Sequence, residues 1–211
     1  MRKSNPGCGA VLRLAAVAIA LTLAGAVPAQ AHHVMGGRTP ATFLQGLLSG
    51  LGHPIIGIDH LAFIVAMGVA VGVAGLRLAI PLLFITASAV GVALHVSGIT
   101  LPIAEFVVAA SVLVVGAAVA SGRGLQIWVW LALFAIAGLF HGYAFGESIF
   151  GAERTPLAAY LLGLVIVQGA LATGTALLAR RSSAGAVQPR LAGAAIAGIG
   201  FAILAGQLLP A

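Results

Sequence analysis

Along most of this chain hydrophobic positions run on without interruption. Six apolar windows follow one another, at about 59–76, 78–96, 101–120, 125–145, 156–179 and 191–209. Each approaches the roughly 20 residues an α-helix needs to cross a bilayer. Short polar breaks separate them: GLR at 75–77, SGIT at 97–100, SGRG at 121–124, GESIFGAERTP at 146–156 and RRSSAGAVQPR at 180–190. The last break reads as an ordinary loop, not a domain linker. A short half-buried helix at 41–51 precedes the first window. The pattern predicts an all-α fold, a polytopic membrane helix bundle of about six transmembrane helices, forming a single domain over residues 32–211.

The first 31 residues have a different organisation. Arg2, Lys3 and Arg13 precede an apolar run from Leu14 to Val27, and Ala29 and Ala31 then form an A-x-A site. This is the three-part pattern of a secretory signal peptide, with cleavage expected after Ala31. The single cysteine, Cys8, lies ahead of the apolar run. The mature chain would then hold no cysteine, which excludes a disulfide or a thiolate metal site.

Composition agrees with the window pattern. Apolar residues make up 61% of the chain and charged residues 7%, with a mean hydropathy of +1.16. A soluble domain carries roughly 25% charged residues. So little charge cannot coat a water-soluble globule, and the lipid bilayer is the expected solvent. The net charge of +6 would suit nucleic acid. The ten Lys and Arg are scattered, however, with no basic stripe and no interleaved aromatics, so no nucleic-acid partner is expected.

Charge also orients the bundle. With the mature N-terminus outside, Arg77, Arg123, Arg180, Arg181 and Arg190 fall in cytoplasmic loops, and only Arg38 and Arg154 fall outside. That bias follows the positive-inside rule and predicts a multi-pass protein of a bacterial inner membrane with a periplasmic N-terminus. In this frame every His, Asp and Glu of the mature chain lies in the outer half: His32, His33, His53, Asp59, His60, His95, Glu105, His141, Glu147 and Glu153.

Two stretches concentrate these groups. HPIIGIDH at 53–60 holds His53, Asp59 and His60. On an unbroken helix the two histidines would lie about 10 Å apart along the axis, too far to share an ion. Pro54 disfavours helical geometry at His53, and Gly57 permits a turn, so a bend that folds His53 over Asp59 and His60 is expected. FHGYAFGES at 140–148 holds His141 inside an apolar run, where an ionisable residue suggests function. Glu147 can share in that function only if the helix ends near Gly146. Glu105 follows Pro102, in what should be the first turn of a helix whose dipole favours a carboxylate. Imidazole and carboxylate without thiolate suit borderline divalent ions such as nickel, cobalt and zinc. There is no G-x-x-x-x-G-K-[ST] loop for ATP.

Pairs of glycines four apart, Gly46/Gly50, Gly68/Gly72 and Gly138/Gly142, suit close helix packing. Trp128 and Trp130 fit an aromatic belt near the cytoplasmic side, and Gln168 falls at mid-membrane.

The H-P-x-x-G-x-D-H motif at 53–60, followed by H-G-x-A-x-G at 141–146 and a secretory start, resembles the HupE/UreJ family of secondary nickel/cobalt permeases. The resemblance covers essentially the mature chain. It implies uptake of Ni2+ or Co2+ as a transported ion, with no prosthetic group and no enzymatic activity. It also implies a functional link to a metalloenzyme such as hydrogenase or urease, and it leaves room for a homo-oligomer. Carried onto this chain, the site positions are His53, Asp59, His60, His141 and Glu147, with Glu105 also in keeping. The larger nickel/cobalt transporter family has an H-x4-D-H motif, whereas the spacing here is H-x5-D-H.

Two other readings compete. His53, His60, His141 and Asp59 imitate the zinc set of membrane-embedded hydrolases, where a metal-bound water attacks the substrate. Against it, no histidine pair has i,i+4 spacing, and Ser97 and Ser148 fall in loops. The third reading is an ion sensor or assembly partner for a metalloenzyme.

Overall fold

The computed structural model describes residues 38–183 and 186–209. The expected signal peptide, with His32 and His33, lies outside the described residues. Among them there are seven α-helices and no strand: α1 (Phe43–Ile56), α2 (Ile58–Val73), α3 (Pro81–Val96), α4 (Ala104–Ser121), α5 (Ile127–Gly146), α6 (Arg154–Ala179) and α7 (Val187–Leu208). A 3-10 turn, Glu147–Ile149, continues α5.

Local chemistry sets the helix ends. Thr42 caps α1 by accepting from the Gln45 backbone N–H at 3.2 Å, and the Gln45 side chain accepts in turn from the Ala41 N–H. This arrangement resembles a capping box. Pro81 opens α3, because proline at the first position lacks only an N–H that would have no helical partner anyway. At the opposite end of the bundle from the histidines, arginines close two helix ends. Arg180 donates to the Leu76 carbonyl just beyond α2, and Arg190 donates to the Ala120 carbonyl at the end of α4.

The apolar helices account for the molecule's surface as well as its core. Phe63, Phe84, Phe134, Met67 and Val112 are fully buried, yet Val90, Val114, Ile136, Ile166 and Phe201 stand exposed along mid-helix. A surface of that kind fits lipid, and the chain is a multi-pass helical membrane protein. Four helices (α4, α5 with its 3-10 turn, α6 and α7) are long and apolar enough to span a membrane, and the bent α1–α2 pair makes five if it counts as one span. The second expected window, 78–96, yields a shorter helix than anticipated. Residues 78–80 form a turn ahead of Pro81, leaving α3 with 16 residues. At 1.5 Å per residue it is about 24 Å long, against a hydrocarbon core of about 30 Å.

Helices pair closely as α3 with α5, α4 with α7, and α1 with α6, while α2 packs on α6, α4 and α7 from the centre. Glycine makes these approaches feasible. A Cβ on Gly142 of α5 would lie 2.0 Å from the Ser88 carbonyl oxygen of α3, and one on Gly50 of α1 would lie 2.1 Å from the Tyr160 carbonyl oxygen of α6. All three glycine pairs noted in the sequence fall at such contacts.

The break at Gly57 is the most consequential local feature. Helices α1 and α2 meet there at 76°. The bend occurs later than Pro54 alone would suggest, because His53 and Pro54 both remain inside α1. The helix continues to the Gly57 N–H, which donates to the His53 carbonyl at 3.0 Å, and Gly57 itself turns extended. Gly46, Ser49, Gly50 and His53 of α1 are buried, and Gly46 and Gly50 meet the α6 backbone. That packed face offsets the hydrogen bond lost at Pro54.

Candidate functional site

The bend does what the spacing in HPIIGIDH requires. His53 from the end of α1 and His60 from the first turn of α2 bring their ring centroids to 5.6 Å. His141 arrives from α5, with its ring centroid 5.0 Å from that of His60. Three imidazoles on three helices are therefore adjacent, and all three are buried. Phe145, one turn beyond His141, lies against both His53 and His60 at 5.2 and 4.4 Å. On the other side of His141 lie the rings of Phe63 and Phe84, at 4.7 and 5.7 Å. The polar cluster thus has an aromatic wall and an aromatic floor.

Hydrogen bonds link the cluster to its surroundings in two chains. In one, Ser111 Oγ is 2.9 Å from His141 Nε2, and His141 Nδ1 is 2.8 Å from His60 Nδ1. The chain continues towards Asp59, whose Oδ1 lies 3.9 Å from His60 Nε2. Asp59 Oδ1 also accepts from the His60 backbone N–H at 2.8 Å, which fixes the carboxylate at the start of α2. In the other chain, Ser148 Oγ and Tyr160 Oη each lie 2.9 Å from His53 Nδ1, and the Tyr160 hydroxyl donates to the Phe145 carbonyl at 2.7 Å.

Helix α5 ends at Gly146 as required; Glu147, in the following turn, is exposed and interacts electrostatically with Tyr160, and its buried neighbour Ser148 reaches His53. Glu105 is in the first turn of α4 and exposed, with no side-chain hydrogen bond or ion pair to a described residue. His95 packs against Tyr143 and Phe150, beside Gly146 and apart from the three clustered histidines.

Among the described residues, no group of three or more His, Cys, Asp or Glu side chains is placed so that it could hold a metal ion as it stands. The spacings are nevertheless close to what ligation needs. Two donors bonded to one ion at about 2.1 Å stand about 3 Å apart at a right angle and at most about 4.2 Å apart in line. The 3.9 Å from His60 Nε2 to Asp59 Oδ1 falls within that span. The 2.8 Å between His60 and His141 is a hydrogen bond that an ion would have to replace.

Sequence reasoning missed Ser111 and Tyr160 and placed Ser148 in a loop. A tyrosine in the second turn of an apolar helix was the available signal, since a buried phenol must find a hydrogen-bond partner.

The model of the HupE / UreJ protein family matches residues 18–203. Protein HupE of Rhizobium leguminosarum bv. viciae is 34% identical over 192 residues, covering 89% of this chain and 97% of that protein. No solved structure matches the chain.

Proposed function

The chain belongs to the HupE/UreJ protein family, and from that premise we propose that it carries a divalent transition-metal ion, nickel or cobalt, inward across a bacterial inner membrane. The observation that carries this reading is the gathering of His53, His60 and His141 from three helices, with Asp59 alongside, on the half of the bundle that holds the described acids. Neutral imidazole and carboxylate bind such ions without sealing them in, and a transport site must release what it captures.

The proposed topology has six crossings, with α2 and α3, 16 residues each, as the short ones and the N-terminus outside. Helix α1 then dips back to the surface at the histidine end. The arginines at the far end face the cytoplasm, and the membrane potential draws the cation inward by roughly 2.3 kcal/mol per charge per 100 mV. Asp59, half-buried, receives the ion from water, and His53 and His60 strip its hydration shell. Phe63 and Phe84 close the way inward, so passage requires those rings to swing aside. The nearest further polar groups are Ser88 of α3, which lies beside Gly142 next to the histidine cluster, and Gln168 of α6. They are 3.4 Å apart, and Gln168 Oε1 is a buried acceptor with no hydrogen-bond partner among the described residues. A carbonyl-type oxygen with unused acceptor capacity is a suitable weak ligand for a cation in transit. The ion supplied this way would serve a metalloenzyme such as hydrogenase or urease.

Accumulation of radiolabelled nickel and cobalt by expressing cells tests the proposal. His53→Ala, Asp59→Ala and His60→Ala should reach the membrane at wild-type levels and lose uptake. Normal uptake by these variants would refute the site, and lipid-amide or ester hydrolysis that disappears in them would favour the enzyme reading.

A further inference from the structure

The two hydrogen-bonded chains around the histidines fix more than distance. A hydroxyl has one hydrogen to donate, and a backbone carbonyl only accepts. The Tyr160 hydroxyl donates to the Phe145 carbonyl. Its oxygen, 2.9 Å from His53 Nδ1, is left to accept, so the hydrogen between them sits on His53 Nδ1. Ser148 Oγ shares that hydrogen from the other side at 2.9 Å. A bare Nδ1 would point a lone pair at the lone pairs of Tyr160, which is repulsive at that separation.

The second chain resolves the same way. Ser111 donates to the Val108 carbonyl at 2.7 Å, so its oxygen accepts from His141 Nε2. Neutral His141 can then only accept at Nδ1, and His60 Nδ1, 2.8 Å away, donates to it. Both chains lead to one arrangement: His53 and His60 each carry hydrogen on Nδ1, which leaves Nε2 as the nitrogen able to ligate.

We infer that Tyr160 and the Ser111–His141 pair are positioning residues that lock His53 and His60 in the Nε2-ligating tautomer, with His141 acting through His60 instead of touching the ion. The inference rests on the reading that His53 and His60 take up a divalent cation. Ligating histidines commonly donate their other ring N–H to a fixed neighbour, and loss of such a neighbour costs about 10–100-fold in metal affinity. The 3.9 Å between His60 Nε2 and Asp59 Oδ1 puts the carboxylate beside the nitrogen this tautomer exposes.

The test uses the full-length protein in lipid nanodiscs, labelled with 15N-histidine and freed of metal by chelation. Long-range 1H–15N correlations report which ring nitrogen bears hydrogen. Wild type should have Nδ1–H on both His53 and His60. In Tyr160→Phe, Ser148 becomes free to donate to Nδ1, so His53 should switch to Nε2–H, and the Kd for added Ni2+ should rise by about 10-fold or more. Ser148→Ala should keep the wild-type tautomer. Should Tyr160→Phe fail to fold, Ser111→Ala tests the other chain: His141 can then present Nδ1–H to His60 and reverse the pair, while Ser111→Thr should restore it. Nε2–H on either histidine in wild type would overturn the inference, as would variants that leave both tautomer and nickel Kd unchanged. A wild type with Nδ1–H on both rings that binds neither nickel nor cobalt would instead overturn the transport reading and leave the tautomer assignment standing.

Discussion

His60 and His141 share a hydrogen bond of 2.8 Å between their Nδ1 atoms, although 81 residues separate them in the chain. Both rings are buried. Truncating one partner leaves the other with an unsatisfied polar atom, a cost of about 1–3 kcal/mol. His60→Phe and His141→Phe alone should each lower thermal stability in detergent. The double variant should regain much of that loss, because two phenylalanines leave no orphan nitrogen. Nickel uptake should remain absent in the double variant. Strictly additive losses of stability would show that the hydrogen bond contributes little.

The Gly57 joint should be sensitive to a single methyl group. Its φ of −71° and ψ of 104° are open to alanine, so Gly57→Ala carries no backbone strain. The new Cβ would, however, stand 2.6 Å from His60 Cδ2 and 3.2 Å from Asp59 Oδ1. We expect a folded protein whose KM for nickel or cobalt rises several-fold as the His60 ring is pushed aside. Unchanged KM with unchanged expression would count against the placement of His60 and Asp59.

Gly142→Ala should act through packing. Its Cβ would lie 2.0 Å from the Ser88 carbonyl oxygen, a backbone atom that cannot rotate away. Helices α3 and α5 would have to part, at a cost of about 1–3 kcal/mol or more. Gly174→Ala in α6 is the control. Nothing lies within 4 Å of its Cβ, and alanine is the better helix former by about 1 kcal/mol. Melting temperatures in detergent should therefore move in opposite directions.

Membrane orientation can be read by labelling. Glu153 and Arg180 flank the two ends of α6 and are both exposed. With Cys8 in the segment expected to be removed, Glu153→Cys and Arg180→Cys should each supply one reactive thiol. A membrane-impermeant maleimide added to spheroplasts should label Glu153→Cys, and Arg180→Cys should react only after lysis. The reverse pattern would invert the proposed topology.

Much of this architecture was legible in the chain. Uninterrupted apolar windows gave the helices, because lipid removes the need for a polar face. Pro54 and Gly57 pointed to a bend in the right segment, although tertiary packing along α1 carried the helix past the proline. The proximity of His53, His60 and His141 followed from that bend plus a motif 81 residues on. The supporting hydroxyls were not legible. Ser111 and Tyr160 look like ordinary residues of apolar helices, and only the crossing of α4, α5 and α6 near the histidines gives them a role. Glu105 and Glu147 were legible as carboxylates near helix ends, and both are exposed.

The arginine contacts make the bundle mechanically lopsided. Arg180 reaches from the foot of α6 to the foot of α2, and Arg190 does the same from α7 to α4. At the other extremity a single glycine joins α1 to α2. A frame pinned along one rim and jointed along the other turns, where it turns at all, at the joint, which is Gly57.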